Sequence, residues 1–200
     1  MMLLAIMLLS AAVAGWLVLA DAPEAVRSLA RFACVLYAAL AAAECLNPSL
    51  MEAVTLIVAA VAPAFLALAM RASMSTPVSE TLAAVILALC TAAGIFAAVT
   101  GIAAFAFAPL TVSVLAIMST GSVRFREHSM PSLQAMASAL ALLAGAAAFL
   151  MNAGGAQMAF LLLHATGLFG MTLAIAPRSD AVVEQAGQSH LCRTAIRKLR

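Results

Sequence analysis

The sequence predicts an all-α membrane protein, a seven-transmembrane-helix bundle with its N-terminus outside and its C-terminus in the cytoplasm. Hydrophobic residues make up 66% of the 200 and charged residues 9%. A soluble domain has about half and about a quarter, so little here can face water. The apolar residues come in runs close to the ~20 that cross a hydrocarbon core of ~30 Å. None alternates polar and apolar as the strands of a membrane barrel do. Basic residues fall in every second connection: Arg27 and Arg31, then Arg71, then Arg124 and Arg126, then the tail. Basic connections face the cytoplasm, and that alternation requires seven crossings.

Residues 1–176 form one transmembrane domain. The first span is 2–20. Ala12-Val13-Ala14 before Gly15 resembles a signal-peptide cleavage site, but no Lys or Arg precedes the run. A signal peptide carries a positive leading segment, so the expectation is an uncleaved helix. Asp21-Ala22-Pro23-Glu24 follows as a helix start, with Asp21 as cap and Pro23 in the first turn. The second span is 28–44, with Arg31 snorkelling to the interface. Asn47-Pro48 marks a short outer turn. The third span, 52–70, contains Pro63 and ends at Arg71.

Thr76-Pro77 reads as the cap and first residue of the next helix. The apolar run 82–118 would be ~55 Å long as one helix, too long for one crossing. Thr100-Gly101 is the place to fold back, dividing it into spans 82–99 and 102–118, the latter with Pro109. Ser119–Ser132, the longest polar break before residue 177, is read as an inner loop. The sixth span is 133–151, followed by an Asn152–Gly155 turn. The seventh is 156–176, ended by Pro177. Ser28-Leu29 with Ser132-Leu133, and Ala62-Pro63 with Ala108-Pro109, hint at related hairpins.

The tail, 177–200, contains an amphipathic segment at 191–200. On a helical wheel Leu191, Cys192, Ala195, Ile196 and Leu199 share one face, with Arg193, Arg197 and Arg200 opposite. Such a segment lies on anionic inner-leaflet lipids, at ~1 kcal/mol per basic residue. The sharper alternative is a docking helix for a membrane or cytoplasmic protein partner, with Arg124 and Arg126 as further contacts. A net charge of +2 gives no reason to expect nucleic acid.

Polar groups inside a span are costly and functional by default. His164, mid-way along the seventh span, is the foremost candidate. It suits proton relay, metal ligation or substrate binding; the plainer reading is a neutral imidazole bonded to a neighbouring helix across Gly167 and Gly170. The spacing His164-x-x-Gly167-x-x-Gly170 is similar to the last helix of rhomboid proteases. The Gly-x-Ser-Gly serine motif of that family is absent, so no protease residues are carried over. No paired carboxylates lie within a span, and the single lysine, Lys198, is in the tail. No catalytic constellation, cofactor site or metal site is therefore expected. The four cysteines form no CxxC pair. Glu44 and Glu52 flank the outer turn and suit either an outer mouth for cations or helix ends at the headgroups. Pro63 and Pro109 are kinks or cavity-lining hinges. Thr91, Thr100, Ser138, Gln157 and Thr166 are expected to bond between helices.

These features favour a non-catalytic accessory or regulatory subunit of a membrane complex. The alternative is a small-solute or proton-coupled transporter with a path near His164, Pro63 and Pro109. Short loops suggest a bacterial inner membrane. The topology is directly testable: a reporter fused after Asn152 should read outside and one after Arg124 cytoplasmic. A cytoplasmic reading after Asn152 would overturn the seven-span order.

Overall fold

A computed structural model describes residues 2–46, 51–73, 78–124, 129–151 and 155–176. Seven α-helices account for nearly all of them: α1 (Met2–Val18), α2 (Glu24–Leu46), α3 (Met51–Ala72), α4 (Glu80–Thr100), α5 (Ala104–Arg124), α6 (Ser129–Leu150) and α7 (Ala156–Ile175). Ala- and Leu-rich runs are strong helix formers, and in hydrocarbon only a helix bonds all its own backbone groups. Six helices are long and apolar enough to cross a membrane; α1, at 17 residues, is the short one. The chain is a multi-pass membrane protein by this measure.

Several boundaries differ from expectation. The first helix stops two residues early, at Val18, and loose turns continue through Leu19 and Ala20 bonded back to Gly15 and Leu17. Asp21 is exposed in the turn and does not start α2; the Pro23 carbonyl instead accepts the first bond, from Arg27 N at 2.8 Å. The cap of α4 is Ser79, whose Oγ accepts from Leu82 N at 3.3 Å, rather than Thr76. The expected loop Ser119–Ser132 is largely helical: α5 continues to Arg124 and α6 begins at Ser129. Its Ser and Arg residues do not break a helix, and Pro131 falls in the first turn of α6, where a missing N–H costs nothing. The fold-back at Thr100-Gly101 is where it was expected. Gly101 has φ 71° and its N–H caps Ala97 O at 2.8 Å, the left-handed stop that glycine adopts most easily. Asn47-Pro48, Thr76-Pro77, Arg126, Asn152–Gly154, Pro177 and the tail, with Arg193, Arg197 and Arg200, lie outside the described residues.

The helices form a closed ring in the order α1, α2, α3, α5, α6, α7, back to α1. Here α3 is the hub, packing on α2, α4 and α5 and touching α7, while α4 lies outside the ring against α3 and α5. Residue pairs across the contacts show the directions. Phe32 stacks on Phe65 at 5.5 Å, Phe96 meets Phe105 edge-on at 4.8 Å, and Phe107 lies 5.9 Å from Phe149. Gly15 lies against both Cys34 of α2 and Thr172 of α7. Neighbours in sequence are therefore antiparallel, and α1 and α7 run parallel. Arg27, Arg31, Arg71 and Arg124 consequently gather at one end of the bundle, and Glu44 and Glu52 at the other.

Burial on α4 is confined to Cys90, Gly94 and Ala97, a stripe at helical spacing. Its Leu82, Val85, Leu89, Ile95, Phe96 and Val99 are exposed, an apolar face suited to lipid rather than water. The stripe depends on Gly94, where a Cβ would lie 3.1 Å from both Ala60 Cβ and Ile57 Cα of α3. Replacing Gly94 with Leu should force α4 off α3 and cost about 1–3 kcal/mol, read as a lower unfolding midpoint of the detergent-solubilised protein. An unchanged midpoint would mean that α4 does not depend on this contact.

Candidate functional site

His164 sits near the middle of α7 and is fully buried. Its ring is enclosed by three neighbours. Phe160, one turn earlier, stacks on it at 3.8 Å between centroids. Tyr37 of α2 approaches at 5.9 Å. From α6, Gly145 comes so close that a Cβ there would lie 2.7 Å from His164 Nδ1. The Phe160 carbonyl lies 2.9 Å from Nδ1. A carbonyl only accepts, so Nδ1 carries a proton, and in the neutral ring Nε2 is left as an acceptor. Nε2 has no hydrogen-bond partner among the described residues, nor has the buried hydroxyl of Tyr37. The expected bond from His164 to a neighbouring helix is thus made within its own helix instead.

The same holds for the hydroxyls. Thr91, Thr100, Ser138 and Thr166 each donate to the carbonyl four residues back, at 2.6–2.9 Å. They do not bond between helices, because that carbonyl is within reach wherever the helix packs.

Pro63 is buried in α3 and Pro109 half-buried in α5. Each lacks the N–H that a helix would give to the carbonyl four residues earlier, Ala59 and Phe105 respectively. Just beyond them, towards the arginine end, α3, α4 and α5 enclose a cavity of about 500 Å³. Ala64, next to Pro63, lies at its deep end. Ser113, one turn past Pro109 and donating to the Pro109 carbonyl at 2.8 Å, lies on its wall. Arg71 and Ser79 are its other polar lining groups, and Leu82 and Val112 flank the side facing lipid. Neither the two prolines nor His164 belongs to its lining, although Pro63 adjoins Ala64 in sequence and Pro109 lies one turn before Ser113. His164 lies in the packed core among α2, α6 and α7, whereas this cavity lies among α3, α4 and α5.

Glu44 is half-buried at the end of α2 and Glu52 exposed in the first turn of α3. Glu52 there complements the helix dipole, as an acidic residue at a helix N-terminus does. Arg124 is the last residue of α5. Cys34, Cys45 and Cys90 are free thiols. Arg71 stood out in the sequence only as the basic end of the third span, and Tyr37, Ser79 and Ser113 were not singled out. Tyr37 carried a usable signal, as the chain's single tyrosine in an apolar run. Ser79 and Ser113, brought to the cavity beside Arg71 from separate helices, carried none.

No family model, curated protein or solved structure matches the chain.

The unpartnered hydroxyl makes a sharp test. Tyr37→Phe removes a buried donor that has no bond to lose, so stability in detergent should stay within about 1 kcal/mol of the parent or rise. His164→Ala loses a filled volume and should cost about 2–4 kcal/mol. A larger loss for Tyr37→Phe than for His164→Ala would show that the hydroxyl holds a bond joining α2 to the core.

Proposed function

We propose that the protein is a small multi-pass transporter that takes an amphiphilic anion into the cavity between α3, α4 and α5. The observation that carries this reading is the cavity itself. Its volume, about 500 Å³, falls within the ~300–1,000 Å³ of small-molecule sites. Its lining is mainly Ala, Leu, Val and Ile with a few polar groups, of which Arg71 is the cation. A guanidinium grips a carboxylate through paired hydrogen bonds, and the apolar wall accepts a hydrocarbon body. Scarcity of polar groups in the spans argues against a strongly polar solute, not against this one. The side flanked by Leu82 and Val112 suits a solute that enters from the leaflet. Pro63, next to Ala64, and Pro109, one turn before Ser113, are natural bending points for moving α3 and α5 between two states.

In this reading the arginine end faces the cytoplasm of a bacterial inner membrane. His164 and Tyr37 hold the bundle together away from the path, and the protein catalyses no reaction. The accessory-subunit reading is supported by a different observation, the close packing of Phe160, Tyr37 and Gly145 around His164. There Arg124, Arg126 and the tail would meet a protein partner.

The two readings separate in a binding experiment. Purified protein should bind a fluorescent medium-chain fatty acid, and Arg71→Gln should weaken binding about 10-fold. Ala116→Trp, which fills the cavity wall, should abolish it, and His164→Ala should leave affinity unchanged in protein that remains folded. If neither cavity variant alters binding or uptake into liposomes, and a stoichiometric partner accompanies the chain in mild detergent, the subunit reading replaces this one.

A further inference from the structure

A second polar site lies at the arginine end, between α1 and α2 and apart from the cavity beside Arg71. Trp16, in the last turn of α1, packs under Arg31, whose guanidinium carbon is 4.6 Å from the ring centroid. Around this pair is a cavity of about 290 Å³, lined also by Glu24, Arg27, Ser28 and Phe32. Arg27 is held in place by a 3.0 Å bond from Nη1 to the Ala20 carbonyl in the α1–α2 turn. The buried Nε of Arg31 has no hydrogen-bond partner among the described residues.

Trp16 and Val35 line this cavity and also an adjoining crevice of about 180 Å³. The crevice is almost wholly apolar and runs between the two helices along Ala12, Val13, Cys34 and Ala38. From Cys34 to Ala38 it extends ~6 Å along α2, away from the arginine end. A cationic pocket at headgroup depth thus continues into an apolar slot directed at the membrane centre.

We infer that α1 and α2 bind one anionic phospholipid, its phosphodiester between Arg27 and Arg31 and an acyl chain in the crevice beyond Trp16. The charges match: Arg27, Arg31 and Glu24 sum to +1, and a phosphodiester carries one negative charge. The two guanidiniums suit paired hydrogen bonds to phosphate oxygens. Glu24, exposed at the rim, accepts hydrogen bonds from headgroup hydroxyls such as those of phosphatidylglycerol. A free phosphate would engage the arginines but leave the apolar slot unfilled. The occupant also has a structural role, because it joins the inner end of the short α1 to α2.

The experiment is native mass spectrometry of the full chain in mild detergent, titrated with phosphatidylglycerol and with phosphatidylcholine of the same acyl chains. One phosphatidylglycerol should bind in clear preference to phosphatidylcholine. Arg27→Gln combined with Arg31→Gln should weaken it about 30-fold. Replacing both with Lys keeps the charge that directs insertion, yet should still weaken binding several-fold by removing the guanidinium fork and the stacking on Trp16. Ala38→Leu should weaken it through the crevice alone, with both arginines intact. Arg124→Gln, at the end of α5 across the ring, should leave it unchanged. Equal binding of the two lipids would overturn the inference. So would an Arg124→Gln loss equal to that of the double Gln variant, which would show unspecific charge attraction. Displacement of the lipid by inorganic phosphate or glycerophosphoglycerol at comparable concentration would overturn it too, assigning the pocket to a soluble anion.

Discussion

An unpaired backbone N–H or C=O in hydrocarbon costs several kcal/mol, and the architecture follows from avoiding that cost. It makes each apolar run a helix, and it places the breaks where a backbone group can be capped, as Gly101 N–H is by Ala97 O and Leu82 N by Ser79 Oγ. It also explains the inward turn of the hydroxyls. A Thr or Ser bonded to the carbonyl four residues back is satisfied before any neighbour arrives. The hydroxyls of Thr91, Thr100, Ser138 and Thr166 thus add no bond between helices among the described residues, and close packing takes a larger share of the association.

Close packing in turn depends on small residues. The hub helix α3 is buried along most of its length, largely through Ala59, Ala60, Ala62, Ala64 and Ala69. Gly94 brings α4 onto it, and Gly145 brings α6 onto the ring of His164. Apolar burial contributes little to helix association when the alternative is lipid. The shape of the contact decides the arrangement, and this is why α4, with three buried residues, sits outside the ring while α3 lies at its hub.

Against that apolar background the polar atoms divide by position. His164 and Tyr37 are sealed in the ring, each with a buried atom unpartnered among the described residues. Arg27, Arg31 and Arg71 lie where the helices end, each beside a crevice rather than in the core. A guanidinium needs the headgroup region for its charge and tolerates an apolar wall along its stem. That property produces, at one end of the bundle, two crevices in which a guanidinium adjoins an apolar wall.

The sequence by itself determined the class, the number of helices, the Thr100-Gly101 fold-back and the gathering of arginines at one end. Run length, a glycine able to adopt positive φ, and charge alternation are local signals that a membrane enforces strictly. It also singled out His164, because a histidine in an apolar run stands out. The helical stretches Ser119–Arg124 and Ser129–Ser132 were not legible, since polar residues mark the edge of a membrane but not the end of a helix. Only the tertiary structure decided which faces meet. In Ala- and Leu-rich helices the face toward lipid and the face toward protein are equally apolar, so periodicity does not distinguish them. Tyr37 meets His164 across more than 100 residues of sequence, and Arg71, Ser79 and Ser113 converge from three helices, for a reason that resides in side-chain shape and not in hydrophobic pattern.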